Sequence, residues 1–161
     1  MGEQLPLFAA RPTARVETSA LPLLALTMWQ PWAHAVVHGS KRVENRPWKP
    51  YPAVLGQHIA LHASDVIEPG VLARLNVRFG YAWTERDLAR KAIVGVVRVT
   101  GFVLTSEDPW WHAGQVGWTL DDVVAIEPVP IARGYHKLWP LPAEIAAEVR
   151  CRAAEARGRR G

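Results

Sequence analysis

Residues 39–46 have the sequence Gly39-Ser40-Lys41-Arg42-Val43-Glu44-Asn45-Arg46. The stretch combines a turn glycine, several cations and one carboxylate, and it follows a short apolar segment. In an extended chain, successive side chains alternate between two faces. We therefore expect Arg42, Glu44 and Arg46 on one face and Val43 in the core, with Lys41 at the junction. This stretch is the first candidate for a functional site.

A short helix is predicted immediately before it, over residues 30–38. Pro31 suits a first helical turn, because the N–H that proline lacks would be unpaired there. Gly39 suits the end of the helix, because glycine adopts the left-handed backbone conformation without steric cost. The predicted unit is thus about two turns of helix followed by a charged strand.

The charges alone also have a simpler interpretation. Glu44 flanked by Arg42 and Arg46 could be a half-exposed ion-pair network on a strand face, and such pairs typically contribute less than about 1 kcal/mol each. The wider pattern of motifs along the chain favours a site instead.

Several motifs occur in a defined order. Residues 39–46 match G-x-K-x-x-E-x-R, with Gln30-Pro31-Trp32-Ala33 before them and a strand-like segment at 57–64 after them. An apolar, β-branched strand is predicted at 93–99, and shorter strand-like segments follow at 117–118, 128–134 and 138–139. In this order the chain resembles the ASCH domain family, a branch of the PUA-like β-barrels. The resemblance implies an α+β fold, namely a PUA-like (ASCH) mixed β-barrel with peripheral helices.

The predicted organisation is one domain with two terminal segments. A chain of 161 residues suits a single domain with one core. Residues 1–20 are interrupted by proline and threonine and are expected to form a flexible N-terminal tail. Residues 21–142 would form the ASCH/PUA-like domain, and residues 143–161 a C-terminal helix with a basic tail.

The basic charge of the chain is concentrated at its C-terminus. The formal net charge is +4, and residues 150–161 hold five arginines against one glutamate, whereas residues 1–149 hold 14 basic and 14 acidic side chains. These arginines could grip a phosphate backbone, or they could form a solvated helix end. The sequence shows neither a secretory signal nor a membrane-spanning run. We therefore expect a soluble, cytoplasmic protein with no membrane partner.

Metal and cofactor sites are not expected. Cys151 is the single cysteine, which excludes an internal disulfide and a zinc site built from cysteines. His34 and His38 are four residues apart on the predicted helix and could face a metal together, but no third ligand is apparent. We expect no metal and no cofactor.

The resemblance implies nucleic-acid binding in a cleft lined by the motif, with RNA, single-stranded DNA and a modified base as the candidate ligands. Lys41 and Arg46 would hold phosphate or a base edge, and Glu44 would accept hydrogen bonds from an amino group or orient Arg46. Tryptophans beside predicted turns suit base stacking, although packing in the core is the alternative for each. The predicted nucleic-acid-binding residues are Trp29, Gln30, Trp32, Lys41, Glu44, Arg46, Trp48 and Ser64.

A hydrolase is the alternative within the family. Some ASCH proteins look like amidohydrolases of N4-acetylcytidine, and others have been proposed to be ribonucleases. The amidohydrolase pattern has threonine three residues after the motif lysine, as a hydroxyl nucleophile. This chain has Glu44 at that position, and a carboxylate cannot act in the same way. Lys41 and Glu44 remain candidates for an acid–base pair, and the catalytic residues are left open.

A third hypothesis concerns the tail. Gln4-Leu5-Pro6-Leu7-Phe8 resembles the short peptide with which many bacterial DNA-replication and repair proteins dock on the sliding clamp. Leu7 and Phe8 would enter an apolar pocket, Gln4 would make a polar contact, and Leu5 completes the motif. The chain would then be a clamp-tethered adaptor. A chance match, or a segment that covers one end of a barrel, is the alternative.

Overall fold

The computed structural model describes residues 22–161, so the predicted tail and its pentapeptide lie outside the described residues. Residues 22–161 form six strands and three α-helices. They are β1 (Leu24–Gln30), α1 (Trp32–Val37), β2 (Val43–Arg46), β3 (His58–Ile67), α2 (Val71–Phe79), β4 (Ala92–Val103), β5 (Val116–Pro130), β6 (Leu138–Pro140) and α3 (Ala143–Gly158), with single 3-10 turns at Pro52–Val54 and Glu85–Asp87.

The strands form one six-stranded mixed sheet in the order β2-β5-β4-β3-β1-β6. β1 pairs with β3 in parallel, and the other neighbouring strands pair antiparallel. The α+β class is therefore confirmed. Within residues 22–161 the edge strands β2 and β6 do not pair with each other, so closure into a barrel stays a prediction.

Helices cover the sheet on both faces. Along β1, Leu26 belongs to the apolar cluster that includes Val36 of α1, whereas Ala25 belongs to the cluster that includes Val149 of α3. This alternation is the period of two expected for a strand buried on both faces. α1 and α3 therefore pack on opposite faces, and α1 lies on the side that carries the charged stretch.

Gly39 is needed for a different reason from the one predicted. α1 ends at Val37, before the glycine, and Gly39 is not among the described glycines with a positive φ. A Cβ at this position would lie 2.7 Å from Trp83 Cη2 and 2.9 Å from the Tyr81 hydroxyl. The close approach of these two rings requires glycine here.

The largest difference from the predicted elements is in β5. This strand runs continuously from Val116 to Pro130, where two separate strand-like segments were predicted at 117–118 and 128–134. Its first half pairs with β2, where Glu44 lies opposite Trp118, and Trp118 is fully buried. The final helix begins after Pro142 as predicted. In the described part of the chain, no helix is long and apolar enough to cross a membrane.

Candidate nucleic-acid interface

A cleft of about 670 Å³ lies beside the C-terminal end of β1, between β2, the start of α1 and two loops. Its lining mixes aromatic, basic and acidic side chains. The lining residues are Thr27, Met28, Trp29, Trp32, Lys41, Glu44, Asn45, Arg46, Glu68, His112, Gln115, Gly134, Tyr135, His136 and Lys137.

The motif residues form a row of charges in the cleft. Lys41 Nζ lies 3.0 Å from Glu44 Oε2, and Arg46 Nε lies 3.0 Å from Glu44 Oε1. Arg46 also donates to the backbone carbonyl of Thr27, at 2.9 Å. Glu44 is thus held between two cations, and Arg46 ties β2 to β1.

Lys41 is almost wholly buried, with 2% of its surface exposed. Its ammonium group donates to the carbonyl of Val43 and lies 5.7 Å from the ring centroid of Trp32 and 5.9 Å from that of Trp110. A carbonyl, a carboxylate and two aromatic faces thus surround the ammonium group in place of water. Lys41 therefore acts on the cleft mainly by orienting Glu44.

Arg42 turns away from the cleft. Its Nη1 donates to the carbonyls of Val36, Gly39 and Lys41, at 2.8 to 3.1 Å. These carbonyls lie at and just beyond the end of α1, where helix carbonyls lack partners within the helix. The expected common face of Arg42, Glu44 and Arg46 is therefore not observed, because Arg42 caps the helix.

Two exposed aromatic rings stand at the mouth of the cleft. Trp29 is 53% exposed and Tyr135 is 58% exposed, and both line the cleft. Trp32 is half-buried, and its indole Nε1 donates to Glu68 Oε2 at 2.6 Å. Large aromatic surfaces left open to solvent beside a charged cleft are typical of a stacking site for a flat ligand.

The loop that carries Tyr135 is seated on a polar cluster of β1 and β3. A Cβ on Gly134 would overlap both His62 Nδ1 and Thr27 Oγ1. The Thr27 hydroxyl lies 3.2 Å from His62 Nδ1 and accepts a hydrogen bond from Trp139 Nε1 at 3.0 Å. Burial lowers the pKa of His62. The loop therefore packs directly on the neutral His62 ring and the Thr27 hydroxyl that lies beside it.

Asn45 holds in place the wall of the cleft opposite the loop that carries Tyr135. Its Nδ2 donates to the carbonyl of Trp110, and its Oδ1 accepts from the backbone N–H of His112, each at 2.8 Å. Both polar atoms of the amide are used in joining β2 to the loop before β5. This pair of bonds holds His112 at the edge of the cleft.

Of the eight predicted nucleic-acid-binding residues, five line the cleft and three do not. Gln30 is fully buried, and its side chain bonds Ala89 and the backbone N–H of His34. Trp48 packs edge-on against Trp118, with ring centroids 4.7 Å apart, and Ser64 accepts a hydrogen bond from its own strand. The five that meet are Trp29, Trp32, Lys41, Glu44 and Arg46.

Other lining residues were not predicted, and most come from distant parts of the chain. One feature of the sequence could have indicated some of these residues. Gly134 is followed by an aromatic and two basic residues between strand-like segments, and exposed loops commonly carry binding residues. The lining residues that were not predicted are Thr27, Met28, Asn45, Glu68, His112, Gln115, Gly134, Tyr135, His136 and Lys137.

No group of three or more potential metal ligands occurs among residues 22–161. His34 and His38 do approach each other, with ring centroids 4.5 Å apart. Burial, and secondarily the neighbouring His38, lowers the pKa of His34 to about 4. Burial also lowers the pKa of His38, and the two neutral rings lie side by side, with His34 buried in α1 and His38 exposed directly after it.

The crystal structure of ASCH from Zymomonas mobilis is similar, with a TM-score of 0.51 and 18% identity over 81% of this chain and 94% of that chain. A mutant of that protein with alanine in place of a serine gives a TM-score of 0.50 and 17% identity over 81% and 95%. At such identity the likeness shows the fold alone.

Sequence comparison gives the family. Among curated proteins, no sequence matches this chain. The pattern of the ASCH domain family matches residues 26–117, which is more than half of the chain. This match includes the helix, the charged stretch and the strands that form most of the cleft. The family expected from the motifs is thereby confirmed: the chain belongs to the ASCH domain family.

Proposed function

We propose that this chain binds single-stranded RNA and accepts one unpaired base in the cleft. ASCH domains are associated with RNA binding. The observation that carries the proposal is the exposed indole of Trp29 at the mouth of a cleft that contains Lys41, Glu44 and Arg46. An exposed ring beside fixed polar groups can stack on a base and also read its edge.

The ligand should be single-stranded. In an RNA duplex the base faces are stacked and the edges are paired, so neither is open to a protein ring. Trp29 and Tyr135 can stack only on a base that has left such a stack. We therefore expect weaker binding to duplex RNA than to a single strand of the same length.

The charge of the cleft suits a base better than a run of phosphates. The lining holds Lys41, Arg46 and Lys137 against Glu44 and Glu68. Lys41 and Arg46 both pair with Glu44. Lys137 is exposed at the rim and is the clearest phosphate contact. With so few contacts, affinity should fall only modestly with salt, by a slope of about 0.7 per neutralised phosphate.

The test compares two variants that each remove one aromatic ring. Trp29→Ala should weaken binding of a labelled nine-residue RNA by about 1 to 3 kcal/mol, the value of one stacked base. Phe102→Ala removes a ring that is 37% exposed and lies outside the cleft lining, and it should leave affinity unchanged. Equal affinities for both variants and the parent chain would overturn the proposal.

The same incubations test the hydrolase alternative. After binding is measured, the RNA is recovered, and its length and mass are determined. Intact RNA supports a binding module. Shortened or chemically changed RNA that requires Glu44 would identify a hydrolase and give Lys41 and Glu44 roles as an acid–base pair.

The N-terminal pentapeptide supports a second role, recruitment to a bacterial sliding clamp through Gln4, Leu5, Leu7 and Phe8. The expected mode is insertion of an extended peptide into an apolar pocket. The full chain should bind purified clamp, and Leu7→Ala with Phe8→Ala should abolish that binding without changing RNA affinity. Unchanged clamp binding by this double variant would contradict the role.

A further inference from the structure

We propose that the base accepted by the cleft is guanine, recognised at its N1 and N2 positions by Glu44. This inference rests on the proposed RNA-binding function and goes beyond it, because it names the base and the side chain that selects it. It is carried by the arrangement of hydrogen-bond donors around the Glu44 carboxylate, which leaves part of its acceptor capacity unused.

Glu44 retains acceptor capacity after its two ion pairs are counted. A carboxylate offers about four acceptor positions on its two oxygens. One position on Oε2 is used by Lys41 Nζ and one on Oε1 by Arg46 Nε, each at 3.0 Å. With respect to residues 22–161, each oxygen therefore keeps one position. Because one cation grips each oxygen, the plane of the carboxylate is fixed.

A fixed carboxylate with one open position on each oxygen selects two parallel donors. Bidentate pairing of this kind adds geometric specificity as well as energy. Among the four standard bases, guanine alone carries two adjacent donors on its Watson–Crick edge, N1–H and the N2 amino group. Adenine and cytosine each place one amino group beside a ring acceptor, and uracil places one N–H between two carbonyls.

Phosphate is disfavoured beside Glu44. A phosphate brought to Glu44 would meet a negative carboxylate, with Glu68 as a second carboxylate in the lining. The nearby positive charge is partly offset, since Lys41 donates to Val43 and Glu44 while Arg46 donates to Glu44 and Thr27. The floor of the cleft therefore favours a base edge, and the phosphates lie toward Lys137 at the rim.

The first test leaves the protein unchanged and varies one base. Nine-residue oligouridines carry guanosine, inosine, adenosine, cytidine or uridine at the centre, and dissociation constants are measured by fluorescence anisotropy. Guanosine should bind most tightly. Inosine keeps N1–H but lacks the N2 amino group, and it should bind at least about fivefold more weakly, the lower end for one bidentate contact. Equal affinity for guanosine and inosine would overturn the inference.

The second test assigns the preference to Glu44. In Glu44→Gln the side-chain amide faces one guanine donor with a donor of its own, so the ratio of inosine to guanosine dissociation constants should fall to about one. Glu107→Gln makes the same chemical change at an exposed residue outside the cleft lining and should keep the parent ratio. The ratio is taken within each variant, so a reduced folded fraction does not alter it. A preference that survives Glu44→Gln would contradict the assignment.

The outcomes separate this inference from the proposed function. If no oligonucleotide binds, or if Trp29→Ala binds as well as the parent chain, the proposed function fails and the inference fails with it. If RNA binds through Trp29 but guanosine and inosine bind equally, the cleft is an RNA site and guanine recognition alone is wrong.

Discussion

Lys41 and Glu44, three residues apart in the chain, form a buried ion pair, with 3.0 Å between Nζ and Oε2 and with 2% and 9% of their side chains exposed. A buried charge is costly unless it is paired and hydrogen-bonded. Lys41 also donates to the carbonyl of Val43, and Glu44 also pairs with Arg46. The pair thus fixes the carboxylate on which base recognition is proposed to depend.

Lys41→Met should destabilise the fold. The substitution keeps an unbranched side chain but leaves Glu44 buried with Arg46 as its remaining cation. Removing one partner of a buried pair typically costs about 3 kcal/mol or more. The free energy of unfolding in urea measures the loss. Lys49→Met, at an exposed lysine, is the control, and equal stabilities of the two variants would contradict the structural role of the pair.

Gly134→Ala should weaken RNA binding. The added methyl group would overlap His62 and Thr27, so the loop that carries Tyr135 must move away from β1. Forcing extra atoms into a packed site costs about 1 to 3 kcal/mol. RNA affinity and urea unfolding are both measured. Gly158→Ala, where a methyl group meets no atom within 4 Å, is the control. RNA affinity equal to that of the control would show that the loop does not contribute.

Stability should fall as the pH decreases from about 6.5 to 4. Burial, together with His38, lowers the pKa of His34 to about 4, below the value of about 6.5 for an unfolded histidine. Between these values the unfolded chain binds more protons, so acid favours unfolding by up to about 1.4 kcal/mol per pH unit for this group. His34→Phe should lose less stability than the parent between pH 7 and 5. Parallel pH profiles would contradict the assignment to His34.

Arg152→Ala should lower stability without changing RNA affinity. Arg152 Nη1 donates to the carbonyls of Glu127 and Pro128, at 3.0 and 2.8 Å, and its Nε pairs with Glu148. These contacts join α3 to the end of β5, and because the side chain is partly solvated we expect a loss of about 1 kcal/mol. The exposed Arg159→Ala is the control. If Arg152→Ala lost RNA affinity while remaining folded, the C-terminal arginines would belong to the RNA site.

The sequence predicted the part of the site that is local. Pro31 and the alternating residues from Lys41 to Arg46 define a helix and a strand that are adjacent in the chain, and their side chains form one wall of the cleft. The periodicity of the sequence and the residues typical of turns suffice to predict such a unit. The family resemblance rested on the same residues.

The features of the site that were not predicted depend on tertiary packing. Tyr135 reaches the cleft because β6 pairs with β1, more than 100 residues away in sequence. Gly39 is required by the approach of Tyr81 and Trp83, which backbone propensity does not report. Trp29 and Trp48 look alike in sequence, yet the first is exposed and the second packs on Trp118. The periodicity of apolar residues indicates whether a segment is a helix or a strand, whereas the exposure of a side chain is set by its tertiary neighbours.

Ultraviolet crosslinking of unmodified single-stranded RNA to the full chain, followed by mass spectrometry of the crosslinked peptides, tests the central claim most directly. The cleft predicts crosslinks at Trp29 and at Tyr135. Crosslinks confined to residues 150–161, with none in the cleft, would contradict the account and place RNA on the basic C-terminal segment.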